Sequence, residues 1–103
     1  MSKQIHFNAF TQCSICHHSK GQWKNPLDSS SQGYKDVDYW VNLAQTLERG
    51  NFDALFLADV HGTYDVYKGT RATAVQHTVQ FPSNDPTLVV SAMAYATKRL
   101  GFS

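Results

Sequence analysis

The sequence predicts an α/β protein with parallel strands, and three observations support that prediction. Residues 52–58 form an apolar run interrupted by Asp53, which is typical of a strand buried on both faces of a parallel sheet. Two stretches with helical periodicity, 36–49 and 85–100, separate the stretches that favour strands. The links from each helix to the next strand are very short, as in right-handed β-α-β units.

The first two elements are a strand and a helix. Residues 4–10 alternate between two faces, which predicts the first strand. The helix over 36–49 begins at Asp36, whose side chain suits an N-cap. Arg49 fits its last turn and Gly50 its end.

The next elements repeat this order. The second strand is predicted over residues 52–59. A second helix is predicted to open at Asn84-Asp85-Pro86, with Asp85 as its cap, and to run to about residue 100. Gly101 is expected to stop that helix, and residues 102–103 to start a third strand.

The strand-to-helix segments, 11–35 and 60–84, are much longer than the helix-to-strand links. Both leave the same edge of the sheet, an asymmetry typical of an α/β barrel enzyme. A (β/α)8 TIM barrel typically takes ~250 residues, so 103 residues cannot close one. We therefore expect residues 1–103 to be the N-terminal β-α-β-α(-β) segment of a single TIM-barrel domain, truncated after the start of the third strand. The expected core residues Trp40, Leu43, Phe56 and Met93 would then lack most of their packing partners.

Composition excludes several classes of protein. The net charge of +1 and the 17% of charged residues indicate neither a nucleic-acid-binding surface nor a polybasic membrane patch. No apolar run approaches the ~20 residues that span a bilayer, and the N-terminus lacks a signal-peptide core. With two cysteines, the chain is expected to be cytoplasmic and free of a disulfide scaffold.

Asp59 is the first candidate functional residue, because ligands meet parallel sheets at the carboxyl ends of their strands. A strand-end aspartate also commonly caps a turn. Tyr64 follows it and could equally be a packed aromatic residue with a solvated hydroxyl. Gln80 lies near the end of the second long segment, where a hydrogen-bonding role is possible.

The segment Cys13-Ser-Ile-Cys16-His17-His18 contains the C-x-x-C-H pattern of haem attachment and residue types that bind zinc. Haem attachment generally belongs to exported proteins, and structural zinc sites usually draw on a second pair of ligands. Two other interpretations are a loop with a buried thiol and a surface histidine, and a histidine that faces a pocket shared with Asp59. We expect no metal site, with a non-catalytic metal-binding or structural fragment as the alternative.

Several segments together resemble the N-terminus of flavin-dependent monooxygenases of the bacterial-luciferase-like superfamily. The subgroup includes nitrilotriacetate monooxygenase component A, long-chain alkane monooxygenase and dimethyl-sulfide monooxygenase. The resemblance runs from Ile5 to Gly101 and rests on HFNAF, GQW, DVDYW, LERGNFDALFLADV, YDVY and NDPTLVVSAMAYATK. Agreement of several segments in the same order is more specific than any single motif.

The resemblance implies a TIM barrel that uses reduced FMN from a separate flavin reductase, together with O2. The substrate would be a small or apolar compound of the alkane, organosulfur or aminopolycarboxylate type, and the complete protein a homo-oligomer. Asp59 matches the aspartate that contacts the flavin, while His17, Tyr64 and Gln80 match positions near the substrate. Most flavin contacts would come from later strands.

Three positions depart from the family pattern. The cysteine that the alkane-oxidising relatives place three residues before the histidine is Ser14 here. Lys20 replaces a loop histidine, and Lys24 replaces the arginine that usually follows the tryptophan. These departures leave the substrate open and argue against a cysteine-based role.

Overall fold

A computed structural model describes residues 3–15, 21–60, 62–79 and 81–103 of the protein. Its three strands form one parallel sheet in the order β1-β2-β3. The strands are β1 (Asn8–Thr11), β2 (Ala54–Leu57) and β3 (Gly101–Phe102). The α/β class with parallel strands, predicted from the sequence, is confirmed.

Helices connect the strands on one side of the sheet. The helices are α1 (Ser30–Gly33), α2 (Val37–Arg49), α3 (Ala72–Gln76) and α4 (Thr87–Ala96), with 3-10 turns at Gln22–Lys24 and Tyr67–Gly69. The two longest helices, α2 and α4, pack against each other. Within the described residues, no helix has the length and apolar character needed to cross a bilayer.

The strands are shorter than the sequence predicted. β1 was expected over residues 4–10 but begins at Asn8. The residues before it are held by Asp53, whose carboxylate accepts from Phe7 N at 2.8 Å and lies 3.0 Å from Nδ1 of His6. β2 was expected over 52–59, and the ladder covers its central four residues. β3 starts at Gly101, one residue earlier than expected.

Helix α2 has the predicted start and end. The side chain of Asp36 accepts a hydrogen bond from Asp38 N at 2.9 Å, so it is the expected N-cap. Arg49 is the last helical residue and Gly50 follows it. The predicted apolar stripe faces inward at Trp40, which is fully buried.

Helix α4 ends at Ala96, earlier than the predicted end near residue 100. Residues 97–100 instead form the link to β3, and a carboxylate of α2 organises that link. Oε1 of Glu48 accepts the main-chain N–H groups of Lys98 at 2.8 Å and of Arg99 at 2.6 Å. Tertiary hydrogen bonds therefore replace the helical ones that the sequence pattern favoured.

The core lies between the sheet and the pair α2 and α4. Leu55, Trp40 and Met93 are fully buried there, so the expectation that Trp40 and Met93 would lack partners was wrong. On the opposite face, Phe56 is 42% exposed and its ring lies 5.5 Å from that of Phe10. The exposure of Phe56 agrees with the expectation that it would lack packing partners in a segment of this length, because both long helices cover the other face.

Candidate active site

A cavity of about 350 Å³ opens at the carboxyl ends of β1 and β2. It lies at the sheet edge from which the two long segments leave, where the sequence placed the chemistry. The lining residues are Gln12, Ser14, Ala58, Asp59, Val60, Gly62, Thr63, Tyr64 and Ser83. Most of the exposed lining surface is apolar, with Asp59 as its acidic group.

Asp59 is held in place by the neighbouring strand end. Its Oδ2 accepts the main-chain N–H of Cys13 at 2.7 Å, two residues beyond the end of β1. One residue earlier, the main-chain N–H of Ala58 donates to the Thr11 carbonyl at 2.9 Å. The carboxylate therefore extends the pairing of β1 with β2 past the ladder, a role different from the local turn cap considered above.

Gln12 lies between these two contacts and lines the same cavity. Its amide Nε2 donates to the Ala58 carbonyl at 2.9 Å. Its Oε1 is buried and has no hydrogen-bond partner among the parts of the chain that the structure describes. Buried polar atoms of folded proteins nearly always have a partner, so this atom calls for an explanation.

The two long segments are joined across the cavity mouth. Ser14 and Ser83 form an isolated antiparallel bridge, and both line the cavity. The main-chain N–H of Ile15 donates to the Pro82 carbonyl at 3.2 Å, and Asn84 N donates to the Cys13 carbonyl at 2.8 Å. Main-chain hydrogen bonds therefore fix the second segment against the end of β1.

Tyr64 reaches the same cavity from the segment that follows β2. Its side chain is 56% exposed, and it also lines an adjacent apolar groove with Val66, Tyr67, Thr70, Thr73, Ala74 and Val79. The structure thus brings Tyr64 and Asp59 to one cavity, whereas their chemical roles stay predictions. The other two predicted site residues, His17 and Gln80, lie outside the described residues.

Cys13 is fully buried behind the cavity wall. Its Sγ donates to the Tyr34 carbonyl at 3.7 Å. Burial, followed by the negative charges of Asp59 and Asp85, raises the pKa of the Cys13 thiol to about 11. A thiol in this environment stays protonated at neutral pH.

The alternative interpretation, a metal-binding module formed by Cys13, Cys16, His17 and His18, can be compared with the structure only in part. Three of its four residues, Cys16, His17 and His18, lie outside the described residues. Within the described ranges there is no group of three or more histidine, cysteine, aspartate or glutamate side chains placed to hold a metal ion. Of these four residues the structure therefore describes Cys13.

Sequence reasoning missed Gln12, Ser14 and Ser83 as cavity residues. Gln12 carried a usable signal, because it comes directly after β1 while Asp59 comes two residues after β2, and the two strand ends lie side by side. β1 was expected to end at residue 10, one residue too early, so Gln12 was not placed directly after the strand. Ser83 carried no such signal, since its position depends on a bridge between residues 69 positions apart in sequence.

No family model matches the chain, but comparisons with known proteins find similar sequences and structures. A long-chain alkane monooxygenase of Geobacillus thermodenitrificans is 52% identical over 103 residues, which are 100% of this chain and 23% of the relative. A dimethyl-sulfide monooxygenase of Hyphomicrobium sulfonivorans is 47% identical over 102 residues, which are 99% of this chain and 21% of the relative. The chain therefore spans about a fifth to a quarter of the length of these curated relatives.

Solved structures agree with these relatives. A crystal structure of a long-chain alkane monooxygenase superposes with a TM-score of 0.89 at 53% identity, over 99% of this chain and 23% of that one. A riboflavin lyase, solved with modified FMN and riboflavin, superposes with a TM-score of 0.81 at 29% identity, over 97% of this chain and 22% of that one. The structural neighbours are TIM-barrel enzymes, covered in part. Nearly the whole chain is therefore similar, in sequence and in structure, to a part of these monooxygenases.

Proposed function

We propose that the full-length protein is an FMN-dependent monooxygenase that uses reduced flavin and O2 to oxidise a small or apolar organic compound. The observation that carries the proposal is the identity of 52% with a monooxygenase along all 103 residues of this chain. The cavity at the strand ends supports it independently, because barrel enzymes bind their substrates and cofactors at that edge. On this proposal, residues 1–103 form the N-terminal segment of one TIM-barrel domain.

The described cavity suits the ring system of a flavin. A volume of about 350 Å³ with largely apolar walls fits a planar aromatic ring, and Asp59 adds a carboxylate to the lining. No lysine or arginine is among the described lining residues, so the FMN phosphate is expected to bind outside this cavity. When bound, reduced FMN supplies the two electrons with which O2 is divided between product and water.

The residues of this chain would position the cofactor and the substrate. Asp59, already oriented by Cys13 N, would accept a hydrogen bond from the flavin and fix the ring at the end of β2. Tyr64, with His17 and Gln80, would lie on the substrate side, where His17 can hold or release a proton near neutral pH. The apolar walls at Ala58 and Val60 would exclude water from the reacting atoms.

The substrate and the partners belong to the same proposal. The relatives are named for an alkane and a sulfide, so we propose an alkane or an organosulfur compound as substrate. The resemblance described in the sequence analysis adds an aminopolycarboxylate as a third class. A separate flavin reductase would supply reduced FMN, and the complete cytoplasmic enzyme would be a homo-oligomer. No nucleic acid, membrane or metal takes part in this proposal.

The test measures O2 consumption by the full-length protein with FMN, NADH and a flavin reductase. We expect uptake that depends on a substrate from one of the three classes, with one atom of ¹⁸O2 in the product by mass spectrometry. Chemically reduced FMN added under anaerobic conditions and then exposed to O2 should replace the reductase. Substrate-independent uptake across all three classes, or a product without ¹⁸O, would contradict the proposal.

A further inference from the structure

An apolar groove of about 420 Å³ lies beside the cavity that contains Asp59, and Tyr64 lines both. The other lining residues of the groove are Val66, Tyr67, Thr70, Thr73, Ala74 and Val79, so the groove lies within the segment that follows β2. Most of its exposed surface is apolar, and no charged residue is among its described lining residues. Such a surface next to a candidate active site suits a part of a ligand that makes no hydrogen bonds.

The C-terminal end of α3 forms one part of the groove wall. Val79 N donates to the Ala74 carbonyl at 2.9 Å, so the chain turns back at the end of the helix and Val79 is held next to Ala74. Thr78, in this turn, has a φ of 51°. That left-handed conformation strains a β-branched residue, and such strain is found mainly at functional sites. Ala74 is buried and Val79 half-buried, so this part of the wall is formed before a ligand binds.

Another part of the wall is open to solvent. Val66 is 87% exposed and Tyr67 is 61% exposed, although both line the groove. Large apolar side chains that cluster at the surface commonly mark a binding site. Because the groove meets the candidate active site at Tyr64, a substrate whose reacting end lies in the cavity would extend its remaining part along these side chains.

The lack of charge in the groove discriminates among the proposed substrate classes. The carboxylates of an aminopolycarboxylate would lose water there without gaining a cationic partner from the described lining residues, which is unfavourable. A compound as small as dimethyl sulfide has no chain to place in the groove. An n-alkyl chain gains free energy from each methylene group that it buries. The groove therefore favours a substrate that carries an extended alkyl chain.

We propose that this groove binds the alkyl chain of the substrate, and that Val66 and Val79 determine which chain lengths the enzyme prefers. The inference rests on the proposed function. The reacting end of the substrate would lie in the cavity with Asp59, and Tyr64 would lie where that end joins the chain. The other occupants that the test distinguishes are a later segment of the full-length chain and a part of the cofactor.

Two variants of the full-length protein change the groove in different ways. Val79→Phe reduces its volume. Val66→Asp adds a carboxylate to its wall, at a side chain exposed enough for the fold to tolerate the change. Val75→Phe and Val75→Asp are the matched controls, because Val75 is an exposed valine of α3 that is not among the described lining residues. Each pair makes the same chemical change inside the groove and outside it.

The readout is kcat/KM for methyl n-alkyl sulfides, from dimethyl sulfide to decyl methyl sulfide, with n-alkanes as a second series. In the wild type, kcat/KM should rise roughly 2- to 4-fold for each added methylene group and level off when the groove is filled. Both groove variants should lower the ratio of kcat/KM for the decyl compound to that for dimethyl sulfide roughly 10-fold, the effect of about two methylene groups that no longer bind. The Val75 variants should keep the wild-type ratio.

An unchanged ratio in a groove variant that folds would overturn the inference. A lowered melting temperature with that result would assign the groove to a later segment of the chain, and a weakened Kd for reduced FMN would assign it to the cofactor. If Val79→Phe does not fold, Val66→Asp and the wild-type series decide the matter.

The wild-type protein separates this inference from the proposed function. Oxidation of aminopolycarboxylates alone, or of sulfides and alkanes without regard to chain length, would refute the inference and leave the proposed function standing. Absence of substrate-dependent O2 uptake in all three classes would overturn the proposed function itself.

Discussion

The main-chain N–H of Cys13 donates to Oδ2 of Asp59 at 2.7 Å, across the ends of two neighbouring strands. The two residues are 46 positions apart in sequence, so the contact exists because β1 and β2 pair in parallel. It orients the Asp59 carboxylate before any ligand binds, which reduces the entropy lost on binding. It also means that a change at Asp59 affects both the site and the attachment of the first long segment.

Substitution of Asp59 should separate these two effects. Asp59→Ala removes both acceptor oxygens and should weaken reduced-FMN binding about 5- to 150-fold, the scale of a lost hydrogen bond to a charged group. Asp59→Asn keeps one oxygen that can accept from Cys13 N, so its melting temperature should stay nearer to the wild type. Anaerobic flavin titration and thermal melts of the full-length variants measure both. Unchanged flavin affinity in Asp59→Ala, with an intact circular dichroism spectrum, would remove Asp59 from the flavin site.

Tyr64→Phe should affect the substrate and leave the flavin. Tyr64 lines the cavity and reaches the adjacent apolar groove, so loss of its hydroxyl should lower kcat/KM roughly 2- to 10-fold. The Kd for reduced FMN should not change. Tyr95→Phe is the control, because Tyr95 is an exposed tyrosine on α4, away from the cavity. A shift in FMN affinity with kcat/KM unchanged would assign Tyr64 to the cofactor instead.

Cys13 should react slowly with alkylating reagents in the folded protein. With a pKa of about 11, its thiolate fraction at pH 8 is about one in a thousand, against a substantial fraction for a free thiol of pKa near 8.5. Protonation alone should slow iodoacetamide roughly 10²-fold, and burial should slow it further. Cys13 and Cys16 share the tryptic peptide 4–20, so tandem mass spectrometry of that peptide assigns the alkylated residue. Alkylation of native Cys13 as fast as that of the unfolded protein would contradict its buried, protonated state.

Stability should fall in acid through two carboxylates at the end of the sheet opposite the cavity. The N–H groups of Lys98 and Arg99 lower the pKa of Glu48, and the hydrogen bonds from His6 and from Phe7 N lower the pKa of Asp53. A lowered folded-state pKa means that the stabilisation is complete above the unfolded-state values, about 4.3 for Glu and 3.9 for Asp. It is lost as the pH falls through the folded-state values.

The double variant Glu48→Gln/Asp53→Asn tests this pH dependence. Its melting temperature should be lower than that of the wild type at pH 7, and the difference should shrink steadily below about pH 4.3. Asp65→Asn, which changes an exposed carboxylate in the second long segment, serves as the control and should follow the wild type. A difference that stays constant from pH 7 to pH 3 would show that these carboxylates do not carry the acid sensitivity.

Local sequence signals located the elements better than their ends. Asp36 and Gly50 defined α2 correctly, because capping depends on residues a few positions apart. The end of α4 was misplaced because Glu48, about fifty residues earlier, binds the N–H groups that a longer helix would have used. The apolar run around Leu55 indicated a parallel strand correctly, and the structure shows that α2 and α4 both pack on the face that carries Leu55.

By itself the sequence determined the parallel α/β class, the position of Asp59 at a strand end and the resemblance to luciferase-like monooxygenases, because these depend on local periodicity and on residue identity in order. The tertiary structure alone decided that Gln12, Ser83 and Tyr64 share a cavity with Asp59. It also decided that Cys13 N orients the Asp59 carboxylate and that Oε1 of Gln12 is buried without a partner among the described residues. Such contacts join residues far apart in the chain, and they form only when parallel pairing brings the strand ends side by side.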